Sequence, residues 1–460
     1  LPNHLSAHVG KRLPTDIILL KRLAEKGDAE AQYQLADRLH YGEGVAKDYA
    51  QSFKWASRSA SQGNSKAQFR LASLYFLGRG IPKDEERAKA LFTESKGGLT
   101  KLAKQNDPKA QFALGVMYAR GLGVVKDDKE SVKWFHKAAE QGDINAFSNL
   151  GVMYATGDGV VKNLKEAVIW WRKGASKGDA NAQNNLGVAY RDGLGVDKDD
   201  KEAVKWYRKS ADQGFANAQN NLGVMYANGR GVEKDAKEAV KWYRMAAEQN
   251  IPIAQTNLGW VYRHGVGVER DAREAVKWYR KAAEQNMSIA QTGLGEMYAE
   301  GKGVEKDAKE ALKWFQKAAG QKNHQAQHNL GVMYATGVGV EKDAVEAVKW
   351  YRKAVEQNNP AAQYRLGFHY ANGQGVERDD EEAVKWYRKS AEQNIPGAQH
   401  NLGYHYATGR GVKKDEREAV KWFRKAAEQG YELAKEPLEK LLKKIRASSA
   451  TSVPFPVPQT

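Results

Sequence analysis

The strongest constraint on this chain is a sentence that it repeats. NNLGVMYANGRGVEKDAKEAVKWYR, from Asn220 to Arg244, returns as NNLGVAYRDGLGVDKDDKEAVKWYR from Asn184 and as HNLGVMYATGVGVEKDAVEAVKWYR from His328. Trp134, Trp170, Trp206, Trp242, Trp278, Trp314, Trp350, Trp386 and Trp422 stand 36 residues apart. Trp55 belongs to the series, with Leu91 in the next Trp place. The step from Leu91 to Trp134 is 43 residues, so seven are inserted, carried by Ser95 to Asp107. A glutamine keeps the same beat from Gln32 through Gln255 to Gln399, with Phe147 in its place once, which makes eleven units. A period of this size marks stacked supersecondary units rather than separate domains.

Each unit reads as two helices. Ala218, Leu222, Met225 and Tyr226 follow the spacing of one helical face. The G-x-G that follows is a helix stop, since glycine accepts the left-handed conformation a stop requires. Asp235 then reads as the N-cap of a second helix, with Glu238 completing a capping box. The same Asp-x-x-Glu spacing recurs at Asp199/Glu202, Asp271/Glu274, Asp307/Glu310, Asp343/Glu346, Asp379/Glu382 and Asp415/Glu418. Ala239, Trp242, Tyr243, Ala246 and Ala247 form the second apolar stripe, and Pro108, Pro252, Pro360 and Pro396 fall where first helices begin. One helix pair buries too little to be stable, but a stack of them makes a continuous core.

The period, NLGxxY, the GxG turn and EAVKWYRKAAEQG resemble the Sel-1-like repeat family, relatives of the tetratricopeptide repeats. The resemblance implies an all-α, right-handed α-α superhelix of about eleven 36-residue helix-turn-helix repeats with terminal capping helices. On this reading 1–14 is an N-terminal extension, 15–30 a capping helix, and 31–430 the repeat array with an insertion near 95–107. Residues 431–446 form a C-terminal capping helix, with Leu438, Leu441, Leu442 and Ile445 toward the array and Lys440, Lys443 and Lys444 toward water. Residues 447–460 are a disordered Ser/Pro tail. Cysteine-rich members of the family staple their repeats with disulfides. This chain has no cysteine, so packing and caps must serve instead.

The absence of cysteine also excludes thiolate metal sites and cysteine nucleophiles. The glycine loops carry a Lys but follow helices and recur in every unit, unlike phosphate loops. His324 and His328 share a helical face without a third ligand, so neither a metal nor any other cofactor is expected. No acid, base and oxyanion donor can be assembled, and the chain reads as non-enzymatic. No apolar stretch approaches the ~20 residues of a membrane helix. The chain opens LPNHLSAHVG without an initiator Met, and together with the resemblance this points to export, periplasmic or secreted. The oligomeric state is left open.

In the family the first helices line the concave wall. Five places after each glutamine this chain carries Val116, Val152, Val188, Val224, Trp260, Glu296, Val332, Phe368 and Tyr404. One place after it come Phe112, Thr256, His328, Tyr364 and His400. Residues that break their own repeat's rule point to recognition, so Trp260, Phe368, Tyr404, Tyr364 and Phe112 are expected anchors, with His328, His400 and Arg365 as polar selectors. The resemblance implies an adaptor that holds a peptide or protein partner in the concave groove. Many bacterial members work in the envelope or in contact with hosts. The alternative is electrostatic. A formal charge of +17, with lysines before and arginines after each Trp, suits an acidic partner, an anionic surface or a polyanion. Pairing of Arg244 with Glu248 at i, i+4, and of their copies, would neutralise part of it. Nucleic acid is disfavoured because the aromatics fall on the other wall.

Overall fold

The computed structural model describes residues 17–450. Within them the fold is all-α, with 24 α-helices, one short 3-10 turn and no strand. The chain divides into two compact units, the first ending at Lys234 and the second beginning at Asp235. Each is a solenoid stack of helix hairpins, in which every helix packs on its neighbours in sequence.

The repeat containing Gln255 shows how the sequence dictates the hairpin. Its first helix, Pro252–His264, starts on a proline, whose missing N–H is no loss in the first turn. It ends at Gly265 in the left-handed conformation, with that glycine's N–H donating to the Val261 carbonyl. The second glycine of the loop has another task. A Cβ on Gly267 would lie 2.2 Å from the carbonyl oxygen of Ala236, the first residue of the preceding repeat's second helix. The loop therefore lies directly on its neighbour's backbone.

The second helix, Ala272–Glu284, is capped as expected by Asp271, which accepts from the N–H groups of Arg273 and Glu274 at 2.9 and 3.0 Å. The other half of the expected capping box is absent. The Asp271 N–H donates to the Tyr262 carbonyl, and Glu274 turns outward to Trp278 Nε1 at 3.1 Å and Lys277 Nζ at 2.8 Å. The backbone turn already satisfies the donor that the glutamate would have served.

Two side-chain systems stitch the repeats together. Gln255 is buried and donates to the Ala247 carbonyl at 3.2 Å, closing off the end of the preceding helix, Ala236–Glu248. Arg280 donates to Tyr298 Oη at 2.8 Å on the next repeat's first helix, Ser288–Glu300. The same Arg-to-Tyr link recurs at Arg172/Tyr190, Arg208/Tyr226, Arg244/Tyr262, Arg352/Tyr370 and Arg388/Tyr406.

The insertion does not loop out. It lengthens one second helix to Glu85–Lys104, twenty residues instead of the usual thirteen, about two extra turns. Phe92, Ser95, Leu99 and Ala103 keep a buried stripe along it. At the N-terminal end, the helix Ile17–Glu25 buries Leu20 and Ala24 against Ala31 and Leu35; the expected 1–14 extension lies outside the described residues. At the other end a 3-10 turn, Glu432–Ala434, leads into the helix Lys435–Ala450, whose Leu438 and Leu441 pack on the last repeat. This helix runs past the expected boundary at 446; Lys444 is exposed, as expected, and pairs with Glu416. The rest of the expected Ser/Pro tail lies outside the described residues.

Candidate binding face

Within each unit, first helices of successive repeats approach one another directly. Examples are Ala29–Tyr41 with Ser65–Leu77, and Pro252–His264 with Ser288–Glu300. Second helices of successive repeats show no comparable approach within either unit. The first helices therefore form the inner face of each stack, and side chains opposite their buried stripes line it.

In the second unit the break in the valine row is real in three dimensions. Trp260 is 48 % exposed and Tyr404 43 %, whereas Val332 and Phe368 are half-buried. Trp260 stacks on His264 at 4.4 Å between ring centres, and the Arg410 guanidinium lies over the Tyr404 ring at 5.7 Å. Phe368 packs against the core of its unit, as does Tyr364, whose ring is 6.1 Å from Tyr387. Arg365 is exposed above the Tyr364 ring at 5.7 Å. Glu296 does not stand alone in the row, because Arg263 bridges it and Glu300 from the neighbouring helix.

The histidines serve packing as much as polarity. His328 is half-buried beside Tyr351, with Nδ1 3.2 Å from Asn329 Oδ1. His400 lies between Phe423 and Tyr431. Burial lowers the pKa of both imidazoles. His324 Nδ1 meets Asn359 Nδ2 at 2.9 Å instead of facing His328 across a shared site.

In the first unit the same inner face holds a groove of about 400 Å³ that crosses the first helices of five repeats. Phe112 lines it, as expected of an anchor, with its ring also 5.7 Å from Phe135 in the core. Sequence reasoning missed most of the rest of the lining and the charged cluster that adjoins it at Arg70. Arg70, buried, binds Asp37 and donates to Tyr41 Oη at 3.2 Å. Lys109 reaches Asp37 at 3.8 Å and Asp143 at 3.5 Å. Burial, opposed by Lys109, raises the Asp143 carboxyl above its usual range. A signal was present: Asp37 holds the valine place of the first repeat, five after Gln32.

The outer, second-helix face is less free than its composition suggests. Lys205, Lys241, Lys277, Lys313, Lys349, Lys385 and Lys421 each pair with the glutamate three residues before. The arginine row is engaged by tyrosines, as described above. Among the described residues the expected Arg244–Glu248 pairing and its copies at Arg280, Arg352 and Arg388 are not formed; a phenol on the next repeat holds each of these four guanidiniums instead. Among the described residues no helix is long and apolar enough to cross a membrane.

The Sel1 repeat matches eleven segments: 29–64, 65–95, 108–143, 148–179, 180–215, 216–251, 252–287, 288–323, 324–359, 360–395 and 396–431. Among solved structures, a protective antigen present in uropathogenic Escherichia coli strains, displaying an SLR fold, is 38% identical with a TM-score of 0.67. That match covers 94% of this chain and 91% of the antigen. A Sel1 repeat protein from Oxalobacter formigenes is 35% identical with a TM-score of 0.52, covering 67% of this chain and 90% of that one. No curated protein matches the chain.

Proposed function

The chain belongs to the Sel1 repeat family, whose members are in general protein–protein interaction scaffolds, and we propose that it is a non-enzymatic adaptor holding an extended peptide or a protein edge along its inner, first-helix face. Trp260 and Tyr404 are the principal anchors in the second unit. Phe368 and Tyr364, on the first helix of the repeat before that of Tyr404, form a half-buried floor there, and Arg365, His328 and His400 select among polar groups. Phe112 plays the anchoring part in the first unit. One observation carries this reading. Two large aromatic rings stand about half-exposed at a helix position where sister repeats place valine, and packing alone gives no reason to expose them.

The electrostatic alternative, a polyanion or anionic surface on the outer face, is weakened by the lysine–glutamate pairs. Salt separates the two readings. A partner held by charge is released between ~50 and ~200 mM salt, whereas one held by aromatic anchors stays. The test is capture by the immobilised protein at both concentrations, using wild type, Trp260→Ala with Tyr404→Ala, and Lys277→Ala with Lys313→Ala. Loss with the aromatic pair alone supports the inner face. Capture that ignores the aromatic pair and fails with the lysine pair overturns it.

A further inference from the structure

We propose that the groove of the first unit takes an extended acidic segment carrying an apolar side chain, its carboxylates on Arg79 and Arg120 and its main chain on asparagine amides. The inference rests on the inner face being the peptide-binding face.

Charge comes first. The groove lining contains Arg70, Arg79 and Arg120 and not one carboxylate. Arg70 is committed to Asp37. Arg79 and Arg120 are exposed and form no ion pair among the described residues; Arg79 lies over the Tyr49 ring at 5.2 Å. The wall is also short of acceptors. Among the described residues Arg70 Nε is a buried donor without an acceptor, and His40, 6 % exposed, has its Nδ1 buried without a partner. Burial first, then the nearby Arg70, Arg79 and Lys47 charges, push the His40 imidazole down to about 2, so His40 adds no charge to this end of the groove. Where the inner face of the second unit breaks the valine row with a charge, Glu296 and its neighbour Glu300 are balanced by Arg263.

Shape and chemistry then favour a peptide. Asn145 and Asn181 occupy one repeat position in adjacent first helices, and Asn149 and Asn185 another. Each carboxamide offers a donor and an acceptor, as a peptide group does. Packed helices stand ~8–10 Å apart, which about three residues of extended chain span at ~3.3 Å each. Leu77 and Val152, 45 % and 42 % exposed, border the groove beside Phe112 and can receive an apolar side chain. Phe69 and Phe76 meet Phe92 edge-on, and Phe112 is tilted against Phe135. These rings are part of the core packing and are not free platforms for stacking bases, which single-stranded nucleic acid binders use.

The test is an array of random ten-residue peptides probed with the full chain, followed by fluorescence anisotropy of the best binders and of a ten-nucleotide oligothymidine. Bound peptides should be enriched in Asp and Glu together with Leu or Phe. Arg79→Ala with Arg120→Ala should weaken them about tenfold or more, while Arg79→Lys with Arg120→Lys should keep most of the binding. Circular dichroism confirms that the variants are folded. Bound peptides without acidic enrichment, or an enrichment that survives the alanine pair, overturn this inference and leave the inner-face reading standing. Oligothymidine binding through the same arginines overturns it in favour of a polyanion site. No peptide binding by the wild-type chain sinks both.

Discussion

Gln285 donates its side-chain Nε2 to Oε1 of Gln255, 30 residues earlier, at 2.8 Å. Gln255 in turn donates to the Ala247 carbonyl at the end of the preceding repeat's second helix. The relay recurs at Gln141/Gln111, Gln213/Gln183, Gln321/Gln291, Gln393/Gln363 and Gln429/Gln399. Apart from Gln363, whose amide donates to Asn358 Oδ1 at 2.7 Å, each of these buried amides fills an acceptor left open at a helix end and passes the register to the next hairpin. Gln255→Leu keeps the bulk and removes the bonds. It should cost about 1–3 kcal/mol by urea unfolding, the price of an orphaned buried acceptor. An unchanged midpoint would make the relay incidental.

Gly259 lies inside a helix, where alanine is normally better by about 1 kcal/mol. A Cβ there would sit 2.7 Å from Cδ1 of Tyr279. Gly259→Ala should therefore destabilise the protein by about 1–3 kcal/mol through overpacking. Gly214 has a φ of +82° with nothing within 4 Å of the added Cβ, so Gly214→Ala should show only the left-handed penalty, about 1–2 kcal/mol. Raising temperature against each variant separates them further: Tyr279→Leu in the Gly259→Ala background should recover stability, whereas no second substitution at Tyr279 should help Gly214→Ala.

The Arg280–Tyr298 bond predicts that Tyr298→Phe loses about 0.5–1.5 kcal/mol. The loss should be near the lower figure because the bond is solvent-exposed. A double-mutant cycle with Arg280→Met measures the coupling, and a coupling of zero would mean that the arginine row is held by nothing on the next repeat.

Acid should loosen the second unit. His369 and His405 are 3 % and 4 % exposed, with Nδ1 2.7 Å from the Gln374 carbonyl and 2.9 Å from that of Arg410. Burial holds both imidazoles below the usual value of 6.5, partly offset by those carbonyl bonds. Arg365 adds to the lowering at His369; at His405, Asp380 opposes it while Arg410 and Arg378 add to it. The unfolded chain then binds protons more readily than the folded one. Stability is full above pH 6.5 and falls as the pH drops below it toward the folded values. The urea midpoint should be lower at pH 5 than at pH 7, and His369→Asn with His405→Asn should narrow that difference. An undiminished difference would assign the acid sensitivity to other groups.

Trp260→Ala should separate binding from folding. The ring is half-exposed and stacks on His264, so its loss should cost under about 1 kcal/mol of stability. If it anchors a partner, affinity should fall by about 2 kcal/mol or more, near thirtyfold. A thermal melt beside a binding isotherm reads both.

Much of the fold was legible in the chain. Trp242 and Tyr243, Ala246 and Ala247 are buried as their spacing indicated, and Asp235 caps its helix through the N–H groups of Lys237 and Glu238. The site was legible only in part. Trp260 and Tyr404 announced themselves by breaking the repeat's rule. Phe368 broke the same rule yet packs against the core. The groove around Arg70 escaped notice because it is assembled from five repeats, each of which contributes unremarkable residues.

Sequence alone determined what is decided within a few residues: where helices start and stop, which face is apolar, and the 36-residue beat that makes them stack. Backbone preference and capping act over one turn, so they can be read along a line. The tertiary structure decided the partners. Arg280 went to a phenol 18 residues on, and Gln255 to an amide 30 residues on. Such choices depend on which groups packing brings within about 3 Å, and that distance is set by the stacking of whole helices rather than by position along the chain.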